Sequence, residues 1–406
     1  MSWPIIPLRR IFRVVNGGTP ASDDENWGGD VPWATPVDLG AATSGTWLSM
    51  TQRTLTAAGA ANGSRIVPKR SILLSTRAPI GYVALTKVPM AFNQGCRALV
   101  ATRPVEERFF VYQLESMVRQ LQARGQGTTF LELSSDALAA TRVTVPSVDE
   151  QRRISDFLDQ ETARIDKLVD LRSRQRDAIR ARQGVYVEKV LGQCLSGKLT
   201  RVKYLLRSRP RYGVLVPAFE DDGVPFIRVN DLLDLPGRAG ELAKIPRPLS
   251  DQYARTITKP GDVLLSVVGT LGRAAIVPDE LSGANIARAV CSLRLLSNVI
   301  PNLFVAWIGT SEFERQAVLA TGSDSAQPTL GMEDLSNFSV RWPTDPKEQE
   351  RVASQVEEGR RSHAELLRRT DRQLALLSER RQTLITAAVT GQFDVTTARP
   401  THDRNF

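Results

Sequence analysis

Residues 150–191 read EQRRISDFLDQETARIDKLVDLRSRQRDAIRARQGVYVEKVL, and no proline interrupts the chain between Pro146 and Pro210. Ile154, Leu158, Ile165, Leu168, Ile179, Val187 and Val190 recur at three- and four-residue steps. That spacing puts them on one stripe of a long helix. Arg172 and Gln175 interrupt the stripe near its middle. A helix of about 40 residues is roughly 60 Å long. Polar on its other faces, it needs a partner to cover the stripe.

The partner lies in the same chain. Residues 348–389 read EQERVASQVEEGRRSHAELLRRTDRQLALLSERRQTLITAAV. Glu348-Gln349 repeats Glu150-Gln151, and Val352, Val356, Leu366 and Leu377 match Ile154, Leu158, Leu168 and Ile179. Each stretch follows an X-Pro segment ending at Pro146 or Pro343, and each ends near a glycine, Gly197 or Gly391. Measured from the Glu-Gln pair to the glycine, the second span is 43 residues against 47 for the first, shorter by about one helical turn, which preserves the buried face. Gly359 and His363 fall near its seam, as Arg172 and Gln175 do in the first. Such positions are either ordinary irregularities or a surface left open for another helical subunit.

The segments preceding the two helices also match. Residues 71–75 and 82–85 read as strands joined through an exposed turn, residues 106–122 as a helix and residues 138–145 as a last strand. In the second segment residues 224–232 match those from Val31, with Asp231 against Asp38, and residues 262–266 match 71–75. Thr270-Leu271-Gly272 matches Pro79-Ile80-Gly81, and Asn285 falls about where Asn93 does. Residues 303–316 read as the matching helix, with Leu330 opposite Leu133 and Leu335 opposite Leu138. The expected fold class is α+β: two globular α/β domains and two long antiparallel coiled-coil helices in a pseudo-two-fold tandem repeat. The expected domains are 1–146, helix 147–198, 199–344, helix 345–392 and a tail, 393–406.

Composition narrows the function. The formal net charge is +9, which fits an anionic partner and also plain solubility. The excess is spread unevenly: residues 1–149 hold 15 Lys and Arg against 11 Asp and Glu, whereas residues 199–346 hold 16 of each. Three distant cysteines point to a reducing compartment. No apolar run approaches the ~18 residues of a membrane span, so a cytoplasmic location is expected. The two histidines, His363 and His402, exclude a histidine-based catalytic pair or metal cluster. No cysteines have zinc-like spacing, and no phosphate-binding loop or dinucleotide fingerprint is present. The carboxylate groups at 23–25 and 220–222 read as solvated loop charge. These features describe a binder and spacer.

The doubled helical signature resembles the specificity subunit of type I restriction–modification enzymes. It comprises Pro146, Glu150-Gln151, Ile154, Phe157-Leu158-Asp159, Thr162-Ala163, Ile165-Asp166 and Leu168, then Glu379-Arg380-Arg381, Leu384-Ile385 and Ala388-Val389-Thr390-Gly391. The strand–turn segments at 72–81 and 263–272 are similar to that family's target-recognition domains. The first helix departs late, where Gly184-Val185-Tyr186-Val187 replaces the usual ending. The resemblance implies a non-catalytic subunit whose two domains read the halves of a bipartite site in double-stranded DNA, the helices serving as spacer and docking surface. It implies two modification subunits as partners, a restriction subunit where the system has one, and no membrane. It implies no cofactor in this chain and S-adenosylmethionine on the modification subunits. Base readout needs forked donors in exposed loops, and phosphate contacts need basic or hydroxyl groups. The candidates are Arg77, Asn93, Gln94, Arg97, Gln126, Thr128 and Thr129, then Arg228, Asn230, Arg273, Asn285, Arg288, Ser325 and Gln327. A coiled-coil scaffold clamping two proteins without reading DNA is the alternative.

Overall fold

The computed structural model describes residues 3–42, 47–77, 79–126, 131–192, 197–322 and 328–395. The chain divides into two compact units, residues 1–173 with 372–406, and residues 174–371. The division falls inside both long helices rather than at their ends, because each unit uses helix ends to complete its core.

In the first unit, a five-stranded sheet runs in the order Phe12–Asn16, Cys96–Ala101, Ile72–Thr76, Ile80–Thr86, Trp47–Leu48. Ile72–Thr76 is buried throughout. Its side chains alternate between two cores: Ile72 and Leu74 pack with Phe109, Phe110 and Leu99, and Leu73 packs with Ala84, Phe92 and Ala98. A strand buried on both faces reads as an apolar run, which Ile72-Leu73-Leu74 begins and the buried Ser75 and Thr76 end. Ile154 and Leu158 of the first long helix and Ile385, Ala388 and Val389 of the second close the Phe110 side of this core. Burying each such aliphatic side chain is worth about 1.5–3 kcal/mol. Trp27–Ala34 forms a smaller sheet with Arg53–Leu55 and, in parallel, with Ala91–Phe92.

The second unit repeats this arrangement. Its four-stranded sheet runs Arg211–Tyr212, Val290–Leu293, Val263–Ser266, Ala274–Ile276. Its smaller sheet pairs Val224–Ile227 in parallel with Asn285–Ile286. Val187 and Val190 of the first long helix and Val352 and Val356 of the second join Phe304 and Trp307 in one core. Each unit thus contains oppositely directed stretches of the two helices packed on its sheet.

The helices span Val148–Gly192, 45 residues, and Pro346–Val389, 44 residues. The first starts at a capping box: Ser147 Oγ accepts from Glu150 N at 3.3 Å, and Glu150 Oε2 accepts from Ser147 N at 2.9 Å. The repeated glutamines are internal clamps. Gln151, 1% exposed, accepts from Glu106 N at 2.9 Å and donates to Pro146 O at 2.9 Å. Gln349, equally buried, accepts from Ile300 N at 3.2 Å and donates to Pro343 O at 3.0 Å.

The seam follows the expected stripe with exceptions. Ile154, Leu158, Ile165, Ile179, Val187 and Val190 are buried, whereas Leu168 and Leu366 are 45% and 44% exposed. Gly359 receives Tyr186: a Cβ there would lie 1.9 Å from the Tyr186 ring, whose hydroxyl donates to Gln355 O at 3.1 Å. Two oddities of the sequence, the altered ending of the first helix and a glycine in the second, therefore fit each other.

Local chemistry overrides periodicity in three places. The helix expected over 106–122 breaks at Met117 into Glu107–Ser116 and Val118–Ala123. Leu138 lies in the short helix Ser135–Ala139, capped by the Ser134 hydroxyl at 3.1 Å from Ala137 N, and only Arg142–Thr144 is strand. The helix expected over 303–316 is two, Pro301–Ile308 and Ser311–Thr321. Gly309 ends the first, and the Thr310 hydroxyl caps the second at 3.4 Å from Phe313 N.

Candidate nucleic-acid interface

Matching hydrogen bonds align the two units residue by residue. Ser75 Oγ accepts from Tyr82 N at 2.8 Å, and Ser266 Oγ accepts from Arg273 N at 2.9 Å. Thr76 O accepts from Leu133 N at 2.9 Å, and Val267 O from Leu330 N at 2.8 Å. Asp38 Oδ2 accepts from Thr35 N and Asp231 Oδ2 from Arg228 N, both at 2.8 Å. Gly81 and Gly272 both have positive φ, 118° and 82°, which a residue with a Cβ rarely adopts. The alignment corrects one pairing. Asn93 N donates to Ala34 O and Ala287 N to Ile227 O, each at 2.9 Å, so Ala287 and not Asn285 occupies the place of Asn93.

The first unit gathers its candidates around Glu132. Short antiparallel bridges join Glu132 to Arg77 and to Gln126. Arg97 is 12% exposed and inward-facing: Nε donates to Ser135 Oγ at 2.9 Å, Nη1 to Gln94 O at 2.8 Å and Nη2 to Glu132 Oε1 at 3.1 Å. Ser135 Oγ in turn donates to Asn16 Oδ1 at 2.6 Å. Arg77 sits 4.0 Å from Glu132 Oε2 and is 36% exposed. Asn93 Oδ1 accepts from Gly95 N at 3.0 Å and fixes the turn, while Gln94 projects to solvent and accepts from the Thr19 hydroxyl. Burial pushes the neighbouring Cys96 thiol up to about 12, which suppresses the thiolate. Arg77, Gln94 and Gln126 are exposed or half-buried and reachable from solvent, whereas Arg97 is held inward by its partners.

In the second unit Asp231 is fully buried and organises a different set. Its carboxylate accepts from Arg228 Nε at 3.2 Å and lies 3.3 Å from Arg238 Nη1. Asn230 Oδ1 accepts from Arg273 Nη1 at 3.2 Å. Arg288 is exposed and held through its backbone, N donating to Val214 O at 2.9 Å. Asn285 is withdrawn from any DNA-facing role: it is 0% exposed, and its amide bonds Thr256 Oγ1 at 2.9 Å and Ser250 O at 3.3 Å. Thr128, Thr129, Ser325 and Gln327 lie outside the described residues. Sequence reasoning missed Glu132, Arg238 and the roles of Asp38 and Asp231. The matched aspartates were the available signal, since a carboxylate repeated at one position of two loops is an anchor for backbone N–H groups.

Arg97→Ala is expected to destabilise the first unit by about 1.5–3 kcal/mol, because it strands charged and carbonyl partners. Arg77→Ala should cost under about 1 kcal/mol, as half-exposed ion pairs do. Urea unfolding of the two variants checks the difference, and equal losses would contradict the reading of Arg97 as held inward by its partners.

Residues 2–174 match the family described as the type I restriction modification DNA specificity domain. The MjaIX type I restriction enzyme specificity subunit of Methanocaldococcus jannaschii is 34% identical over 181 residues, 44% of this chain and 41% of that protein. The EcoBI specificity subunit of Escherichia coli is 28% identical over 302 residues, 66% of this chain and 62% of that protein. The chain thus spans about half the length of these curated relatives. Its fold matches, at 17% identity and a TM-score of 0.74, a chain from a study of complex assembly and conformational transition in the type I R-M system, covering 97% of this chain and 98% of the other. It also matches the HsdS subunit from Thermoanaerobacter tengcongensis, with a TM-score of 0.51, 17% identity and 97% of each chain covered. Residues 2–174 thus match the type I restriction modification DNA specificity domain, the MjaIX and EcoBI specificity subunits are similar over part of their length, and nearly the whole chain shares the fold of a chain from a type I R-M system.

Proposed function

We propose that this chain is the DNA-reading subunit of an adenine methyltransferase complex, each unit reading one half of a bipartite site. The observation that carries this is a shared scaffold with different side chains at matched places. Arg77, Arg97 and Glu132 of the first unit correspond to Val268, Cys291 and Thr329 of the second, as the bridges Arg77–Glu132 and Val268–Thr329 and the strand registers align them. Conversely Thr35 and Tyr82 correspond to Arg228 and Arg273. One backbone presenting two sets of donors is suited to two unrelated half-sites. The family match does not favour a scaffold that only clamps proteins.

On this proposal S-adenosylmethionine and the methyl-transfer chemistry belong to partner modification subunits. The helices hold the spacing between half-sites and carry the partners. Exposed leucines on them support docking: Leu168 and Leu171 in the first unit and Leu366 in the second. The test uses the purified chain with and without modification subunits. Alone it should bind DNA with an affinity that falls as salt rises, and it should transfer no methyl group from a labelled donor. Methyl transfer by the chain alone, or binding indifferent to salt, would contradict the proposal.

A further inference from the structure

Gln94 and Arg288 occupy one position in two copies of the same fold. Thr76 N donates to Gly95 O at 2.8 Å, and Val267 N donates to Ala289 O at 2.9 Å. With Asn93 and Ala287 already matched on the preceding side, Gln94 and Arg288 are the residues between. Each lies just beyond the inner parallel strand, Ala91–Phe92 or Asn285–Ile286, and each is exposed. The flanking chain is aligned as well: Gly18 N donates to Phe92 O at 2.9 Å and Val214 N to Ile286 O at 2.8 Å, so Thr19 corresponds to Leu215.

The backbone at this place is fixed in both units, while the side chain is free to differ. Gln94 is oriented by the Thr19 hydroxyl bonding to Oε1, which leaves the amide group as a directed donor–acceptor pair. Leu215, 57% exposed, has no hydroxyl with which to hold Arg288. Among the described residues the Arg288 guanidinium has no side-chain ion pair, unlike Arg97 and Arg228, which are held by carboxylates. A carboxamide matches the N6 and N7 edge of adenine, and a guanidinium matches the O6 and N7 edge of guanine.

We propose that this matched position is a base-reading position of both units, with Gln94 reading an adenine in one half-site and Arg288 a guanine in the other. The inference rests on the two-reader function above and adds to it the identity of the residues and of the bases. The neighbouring candidates divide differently, Asn93 and Asn285 serving as internal braces.

The test uses the full chain assembled with its modification subunits. Gln94→Arg and Arg288→Gln are compared with wild type on a substrate library in which each base of both half-sites is varied in turn. Both side chains are exposed, so the variants should fold and co-purify with their partners. Gln94→Arg should weaken the preference for adenine at one base of one half-site by about tenfold or more. Arg288→Gln should do the same to a guanine in the opposite half-site. Uniformly weaker methylation at every base, the signature of a phosphate contact, would overturn the proposal, as would an unchanged preference. A wild-type complex with no sequence preference at all would instead overturn the two-reader function on which it rests.

Discussion

Four helix-forming residues inserted after Arg176, with four more after Asp371, are expected to lengthen the preferred spacer between half-sites by about one or two base pairs. Both insertions extend a continuous helix, and four residues add about 6 Å. DNA rises about 3.4 Å per base pair. Four residues also turn a helix by about 400°, leaving a net rotation of only some 40°. A two-residue insertion gives about 200° and should abolish binding to every spacer length. Antiparallel pairing fixes the matched sites, since Arg176 Nη1 lies 3.8 Å from Asp371 Oδ1. The assay is methylation of a library with fixed half-sites and a variable spacer. An unchanged optimum in a folded four-residue variant would show that the helices do not set the distance.

Gln151→Leu is expected to lower the stability of the first unit by about 2–5 kcal/mol, and Gln349→Leu that of the second by a similar amount. Each leucine leaves a buried backbone N–H and a buried carbonyl without partners, at about 1–3 kcal/mol apiece. The stranded groups are Glu106 N and Pro146 O in the first unit, and Ile300 N and Pro343 O in the second. Both glutamines are 1% exposed, so water cannot replace the lost contacts without opening the helix start. Urea unfolding reads the loss. A change below about 0.5 kcal/mol in either variant would mean that the repeated glutamine is not a clamp.

Much of the fold is legible in the sequence because it is written there twice. The stripe from Ile154 to Val190 marks a helix on its own, but Val352 and Val356 supply the partner and hence the antiparallel pairing. Ile72–Thr76 and Val263–Ser266 declare themselves as buried strands by apolar runs that no helix of that length could use. Less legible were the places where one hydroxyl decides the backbone. Ser134 and Thr310 start helices inside stretches whose periodicity suggested a strand and a continuous helix.

The site was legible as a region and not as a set of roles. Arg77 and Arg97 carry the same chemistry in the sequence, yet Glu132 and Ser135 turn one inward and leave the other half-exposed. That distinction depends on a residue 35 positions away in the chain, through the Arg97–Glu132 contact. Asn285 and Arg288 differ by three positions and face opposite environments, one sealed under Ser250 and Thr256 and the other in solvent. The register of the parallel strand decides this, and a pairing misjudged by two residues moved Asn285 to the wrong loop position.

On the proposed function, this chain supplies the DNA sequence preference of a methyltransferase through two separate readers. Adenine methylation mapped across the genome of a host with and without this gene tests it most directly. The expected result is one bipartite motif, two defined segments separated by a fixed unspecified gap, methylated when the gene is present and unmethylated when it is removed. Identical methylated motifs in the two strains would contradict it.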